Sequence, residues 1–496
     1  MFDRPNVLFV TTDQHRGDCL GADPYCPTDA NGRPLLHTPN VDSFVGQGAL
    51  FTSAYTPVPS CIPARRCLMT GQTPYTNDCT GWKADEPWQF EHSLPGELAA
   101  AGYQTLLAGK LHSIPNRNHL GFERMAQHEA LNGVPDDYAA WLDRQGEGFD
   151  ELAHGLGRNS WDPRPWHLPE RYHPTNWTTD RALEFIDERD PTRPFFLNVS
   201  YVRPHTPFDP PQAYWDMYVD RDLPDPAMGD WVDDLYAEKL PDYPELDAWL
   251  ADLPPTVVHR ARAGYYGLIT HIDHQLKRIV DRLRVAGEWE NTVVLFCSDH
   301  GEMLGDHYHW RKTYPFEGSA RIPFVLRFPD GWRTDLPRQR HVDAPIGLED
   351  VMPTLLDAVG VEVPETVEGR SVLPLVADAD SDHAGSEVED WRAFYHGENT
   401  PGSYHPDNAH QYAVDGRWKY VYFPVTGADL LFDLDTDPLE TTDLSDDSAH
   451  AAEYERCRSW LTDRLADRPE GFVVDGELTT VDADSLTPDG VSLEAE

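Results

Sequence analysis

Lysine is nearly absent from this 496-residue chain, occurring only at Lys83, Lys110, Lys239, Lys277, Lys312 and Lys419. Lysine and arginine together number 40 against 85 acidic residues, a net charge of −45. A surface of that sign repels polyphosphate backbones and anionic bilayers, which excludes nucleic-acid binding and peripheral membrane attachment. Such acidity reads as halophilic: dense carboxylates stay solvated in concentrated salt, and their mutual repulsion destabilises the fold when salt is low. The charge therefore describes the solvent and not the substrate. Cysteine is scarce as well. The seven residues (19, 26, 61, 67, 79, 297 and 457) form an odd set without Cys-x-x-Cys spacing, which argues against a disulfide framework or zinc ribbon and for reduced thiols. No apolar run approaches the length of a membrane span. Met1 to Asn6 lead straight into an apolar strand without a signal-peptide layout, so a cytoplasmic protein is expected.

What the chain does have is a set of short, mostly apolar runs. Asn6–Thr12, Tyr103–Ala108, Pro194–Tyr201 and Asn291–Ser298 read as strands buried on both faces, the pattern of a parallel sheet flanked by helices. Val257 to Ala286 carries helical spacing at Tyr265, Leu268, Ile272, Leu276, Ile279 and Leu283. His271, Asp273 and His274 within it are expected to pack on the sheet and not to bind a ligand. Residues 113–180 are irregular and rich in Trp and His, and Tyr214 to Asp252 reads as an acidic, proline-rich surface cover. Each apolar run ends on a chemically distinctive residue: Asp13, Lys110, His205 and Asp299. Parallel strands deliver such residues to one sheet edge, where open α/β folds bind ligands. Asp13, Asp299 and His300 then offer oxygen and imidazole donors for a divalent metal.

The stretch Cys61-Ile62-Pro63-Ala64-Arg65, closed by Thr70-Gly71, begins with a cysteine and places a proline where a first helical turn tolerates one. A nucleophile at a helix N-terminus meets free N–H groups and the positive end of the dipole. This stretch resembles the formylglycine signature of the sulfatases, in the alkaline-phosphatase superfamily, with Ile62 where a small or polar residue is usual. Gly102-Tyr103-x-Thr105-x-x-Ala108-Gly109-Lys110-x-His112 is similar to the second signature of that family.

The resemblance implies an α/β fold with a large, mostly parallel sheet flanked by helices and a small antiparallel C-terminal subdomain. Residues 1–380 would form the catalytic domain, 381–470 the subdomain and 471–496 an acidic tail, partly disordered, with an acidic linker at Ala377–Asp390. It implies hydrolysis of a sulfuric ester, a carbohydrate or aryl sulfate, by a hydrated formylglycine that a formylglycine-generating enzyme makes from Cys61. Asp13, Gln14, Cys61, Asp299 and His300 would hold one divalent metal, calcium by family; Gln14 and His300, where many members carry Asp and Asn, leave manganese possible. That pair is also similar to the choline-sulfatase and phosphonate-monoester-hydrolase branches. Arg65 would hold the nucleophile, Lys110 and Lys312 would stabilise charge on the ester, and His205 would protonate or orient the leaving alcohol. His112 would act as the second base. Two alternatives stand beside this: a phosphonate monoester or phosphodiester hydrolase on the same scaffold, and an inactive anion- or glycan-binding protein. The oligomeric state leaves no sign in the sequence.

Overall fold

Strand β1 (Asn6–Asp13) is buried along its whole length because it runs through the middle of an eight-stranded sheet. The other strands of that sheet are β2 (Gly48–Phe51), β3 (Gln104–Gly109), β4 (Arg124–Gln127), β5 (Phe195–Pro204), β6 (Thr292–Ser298), β7 (Phe324–Arg327) and β8 (Arg340–Val342). Their order across the sheet is β4-β3-β5-β1-β6-β7-β2-β8. All neighbours pair in parallel except β7, which runs antiparallel to both β6 and β2. The computed structural model describes residues 4–83, 86–129, 136–377, 388, 391–400 and 405–486.

Alternation along β1 divides the core into two layers, as a period of two requires. Val7 and Phe9 face one side, with Ile62 and Leu68 of helix Cys61–Thr70 and Leu355 of helix Val351–Ala358. Leu8 and Val10 face the other, with Phe185 of helix Pro174–Glu188 and Ile272 and Leu276 of helix Pro255–Val285. Asp273 lies in that last helix and accepts hydrogen bonds from the N–H groups of Asn40 and Val41, so it caps a neighbouring helix as a packing residue would. No helix among the described residues is long and apolar enough to cross a membrane.

A second sheet follows, formed by β9 (Tyr395–Asn399), β10 (His410–Val414), β11 (Trp418–Tyr422) and β12 (Asp429–Asp433), all antiparallel and in that order. Ala413, Tyr420 and Leu431 on one face pack Cys457 and Leu461 of helix Ala451–Leu465. Tyr412, Val421 and Phe432 on the other face meet the first unit. There the surface expectation for Tyr214–Asp252 is corrected: Trp231, Val232, Tyr236 and Leu250 are at most 5% exposed in this interface. The acids between them, among them Asp233, Asp234 and Glu238, turn outwards. Residues 113–180 also hold more order than expected, namely β4, helix Asp137–Asp143 and the start of helix Pro174–Glu188. In the acidic tail, Phe472 is fully buried and Val473–Val474 pairs with Glu477–Leu478. Residues 487–496, most of the Ala377–Asp390 linker and the 380/381 boundary lie outside the described residues.

Lys419 of β11 ties the two sheets together. Fully buried, its Nζ donates to Glu317 Oε1 at 2.8 Å and stands 2.9 Å from Glu440 Oε1. Burial pushes the Glu440 carboxyl up to about 7 despite the ammonium beside it. Lys419→Met removes the one cation these two carboxylates share and is expected to cost about 3–5 kcal/mol of stability, the penalty for breaking a buried pair from one side. Urea denaturation at fixed salt measures the loss, and adding Glu440→Gln should recover part of it.

Candidate active site

Strands β3, β5, β1 and β6 are consecutive and parallel, so their C-terminal ends open on one edge. β1 ends on Asp13, and Gln14 turns away with φ 70°. β3 leads into Lys110 and into His112 with φ 61°, β5 into His205, and β6 into Asp299 and His300. Opposite them, Cys61 is the first residue of helix Cys61–Thr70, after an extended Ser60. It therefore sees the unpaired N–H groups of the first turn.

Arg65 is the knot of this arrangement. Its Nε donates to Asp299 Oδ2 at 2.8 Å, Nη1 donates to the Lys110 carbonyl at 2.9 Å and to Ser200 Oγ at 3.0 Å, and Nη2 lies 3.6 Å from Asp13 Oδ2. Lys110 Nζ donates to Asp13 Oδ2 at 2.6 Å. Lys312 Nζ lies 3.3 Å from Cys61 Sγ and 3.2 Å from His205 Nε2. Asp299 Oδ1 accepts from the main-chain N–H groups of Gln14 and His300. All of these side chains are buried.

The charges set the titration of the site. Burial alone would raise the Cys61 thiol, but the ammonium groups of Lys312 and Lys110 outweigh it and bring it down to about 5. The other six cysteines move the opposite way under burial. Burial raises the Asp13 carboxyl, yet Lys110, His205 and Arg65 hold it well below the usual carboxylate range. Burial and then Lys312 push His205 well down, and burial with Lys110 takes His112 to about 3. His300 goes the other way, because the Asp299 carboxylate outweighs burial.

Asp13 Oδ1 and His300 Nε2 are both buried without a hydrogen-bond partner, 3.5 Å apart. With Cys61 Sγ they form a group of donor atoms all within 4.8 Å of one another. The His300 ring is oriented by Nδ1, which donates to the Gly301 carbonyl at 2.9 Å and leaves Nε2 as the free lone pair. Metal-binding histidines are held in this way. A divalent cation fits these donors. Asp299 stands beside the group, its Oδ1 3.6 Å from His300 Nε2, and most of its capacity is spent on Arg65 and the main chain.

All ten candidate residues thus converge on one edge, with His112 at its margin. The supports that hold them went unread in the sequence. Gln14 donates its side-chain N–H to the Glu302 carboxylate, whose other oxygen accepts from the N–H groups of Leu304 and Arg311. Fully buried Glu129 accepts from the N–H groups of Leu111 and His112 and so fixes the turn that carries the imidazole. Glu302 follows Asp299-His300-Gly301 directly and could have been suspected; nothing local marks Glu129.

The profile of the sulfatase family matches residues 5–361, and that of the N-sulphoglucosamine sulphohydrolase C-terminal region matches residues 305–468. An arylsulfatase of Clostridium perfringens (strain 13 / Type A) is 37% identical over 484 residues, spanning 95% of this chain and 96% of its own length. Choline-sulfatase of Rhizobium meliloti (strain 1021) is 30% identical over 460 residues, 89% of this chain and 83% of the other. Among solved structures, the phosphonate monoester hydrolase of Agrobacterium radiobacter superposes with a TM-score of 0.76 at 27% identity, covering 93% of this chain and 96% of that one. The chain belongs to the sulfatase family, sulfuric ester hydrolases of the alkaline phosphatase superfamily.

Proposed function

We propose that this sulfatase cleaves an aryl or carbohydrate sulfate through a formylglycine that a formylglycine-generating enzyme makes from Cys61. The observation that carries this is the seat of Cys61: at a helix N-terminus, 3.3 Å from Lys312 Nζ and within 4.8 Å of Asp13 and His300 donors. Asp13, His300 and the modified side chain, with Asp299 and Gln14 beside them, would hold one divalent cation. Calcium is the family's metal, and the His300 nitrogen also suits manganese. When bound, the cation supplies Lewis-acid charge to the ester oxygens and acidifies the nucleophile.

The chain's own groups do the rest. Lys110 and Lys312 flank the reacting atom and oppose negative charge as it builds on the sulfuryl oxygens, an interaction worth about 3–4 kcal/mol per donor in a dry site. Arg65 fixes the helix end against Asp299 and Asp13. His205 is neutral near pH 7 given its depressed pKa, and its Nδ1 faces the Thr206 carbonyl. Of its two expected roles this favours orienting over proton donation: its Nε2 accepts from Lys312 and aims that ammonium at Cys61. Burial and Lys110 lower the His112 pKa to about 3, so its imidazole is neutral at pH 7 and a weak base.

The seven cysteines are free and buried, which suits a reducing cytoplasm. The charge of −45 suits concentrated salt. The phosphonate monoester hydrolase neighbour supplies the second reading, since both esters present a tetrahedral anion to the same clamp.

Three outcomes are expected. In protein from its native host, mass spectrometry of the peptide holding Cys61 should find the aldehyde or its hydrate, and Cys61→Ala should lose at least ~10³-fold in kcat on an aryl sulfate. A many-fold higher kcat/KM on a phenylphosphonate monoester would favour the second reading. In protein made without the modifying enzyme, thiolate absorbance should titrate near pH 5, present above it and lost below it, while the other six thiols stay protonated at neutral pH. Lys312→Met removes the stronger cation acting on that thiol and should move the midpoint upwards. The melting temperature should climb as salt rises from about 0.1 M to about 1 M, over which the screening length falls from ~10 Å to ~3 Å.

A further inference from the structure

Trp82 lies outside both signatures, yet its ring meets the imidazole of His112 edge-on, with centroids 5.5 Å apart and an interplanar angle of 72°. The ring is partly exposed, while its Nε1 is shut away from solvent without a hydrogen-bond partner, as is Nδ1 of His112. Trp88, Trp161, Trp166 and Trp177 also carry unpartnered N–H groups. Those four rings are only 2–6% exposed and packed among other rings, where their apolar area explains their position. Trp82 differs twice over: it is partly exposed, and the ring of a site residue packs against its own.

The segment carrying Trp82 is fixed. Thr80 Oγ1 donates to the Thr400 carbonyl at 2.9 Å, the Thr400 N–H returns the bond to the Thr80 carbonyl at 2.8 Å, and Lys83 Nζ donates to the Asp78 carbonyl at 2.6 Å. An indole held on a pinned segment loses little freedom when a ring lies against it, which is the advantage of a preformed wall.

We propose that Trp82 is a specificity residue: its partly exposed ring takes the ring of the ester's alcohol part, so flat aromatic alcohols are preferred to alkyl ones. This rests on the ester-hydrolase reading of the same site.

The test compares wild type, Trp82→Phe and Trp82→Ala on phenyl sulfate and butyl sulfate. Trp82→Ala should raise KM for phenyl sulfate about tenfold, with kcat within about twofold and butyl sulfate little affected. Trp82→Phe keeps a smaller ring and should fall between. Equal losses on both esters, or none on either, overturn the proposal. Calorimetry of phenyl sulfate on Cys61→Ala needs neither turnover nor the modification. There the added Trp82→Ala should weaken binding about tenfold, and an unchanged or undetectable affinity in the Cys61→Ala parent and the double variant counts against Trp82. Should wild type split phenylphosphonate esters in place of sulfates, the sulfate assignment fails while the Trp82 comparison is read on that ester.

Discussion

Neutralising buried charge is the constraint that organises this molecule. At one sheet edge three cations, Arg65, Lys110 and Lys312, are almost fully withdrawn from water alongside Asp13 and Asp299. Each would be intolerable alone. They persist because every one has a counterpart on a different element: Arg65 on the helix with Asp299 after β6, Lys110 after β3 with Asp13 after β1, and Lys312 with the Cys61 thiol. The site is therefore a check on the whole sheet. Thr12 of β1 pairs with Ser298 of β6, and the two carboxylates follow directly. A slip of one residue in that register would turn Asp13 to the other face and strand a guanidinium in the interior.

This explains what the sequence disclosed and what it withheld. Strands buried on both faces must be largely apolar, so β1, β3, β5 and β6 were plain to read, and so were the polar residues that follow them. The edge strands were not. Arg124–Gln127 and Arg340–Val342 are short and charged because solvent reaches one side of them, and they lack any run to detect. Glu129 escaped for another reason. A carboxylate that serves main-chain N–H groups through the third dimension leaves no local spacing behind it. The segment Tyr214–Asp252 misled in the opposite direction: its acids dominate the composition, while Trp231, Tyr236 and Leu250 do the packing.

The scarcity of lysine proved informative. In a chain that spends carboxylates on its surface, three of the six lysines are kept in the interior, each beside a specific partner. Lys110, Lys312 and Lys419 are at most 3% exposed. Two stand at the candidate site and the third locks the sheets together. Net charge therefore speaks for the solvent-facing shell, to which Lys239 and Lys277 belong, whereas the three buried lysines mark interior positions that matter.

Lys419 also bears on why the small sheet is there at all. Its strands do more than cover the first unit. The Glu398 N–H donates to the Pro57 carbonyl at 2.8 Å, and the Tyr412 hydroxyl donates to the Thr56 carbonyl at 2.5 Å. Asn399 Nδ2 donates to the Thr313 carbonyl at 3.3 Å, and the Thr313 N–H donates in turn to the Pro59 carbonyl at 2.8 Å. These bonds grip both sides of the turn from Thr56 to Ser60, which sets the direction of the helix that Cys61 begins. A proline-rich turn has few N–H groups of its own with which to hold a shape; its carbonyls must be held from outside. The antiparallel sheet supplies those donors, so the geometry of Cys61 depends on residues more than 300 positions further along the chain.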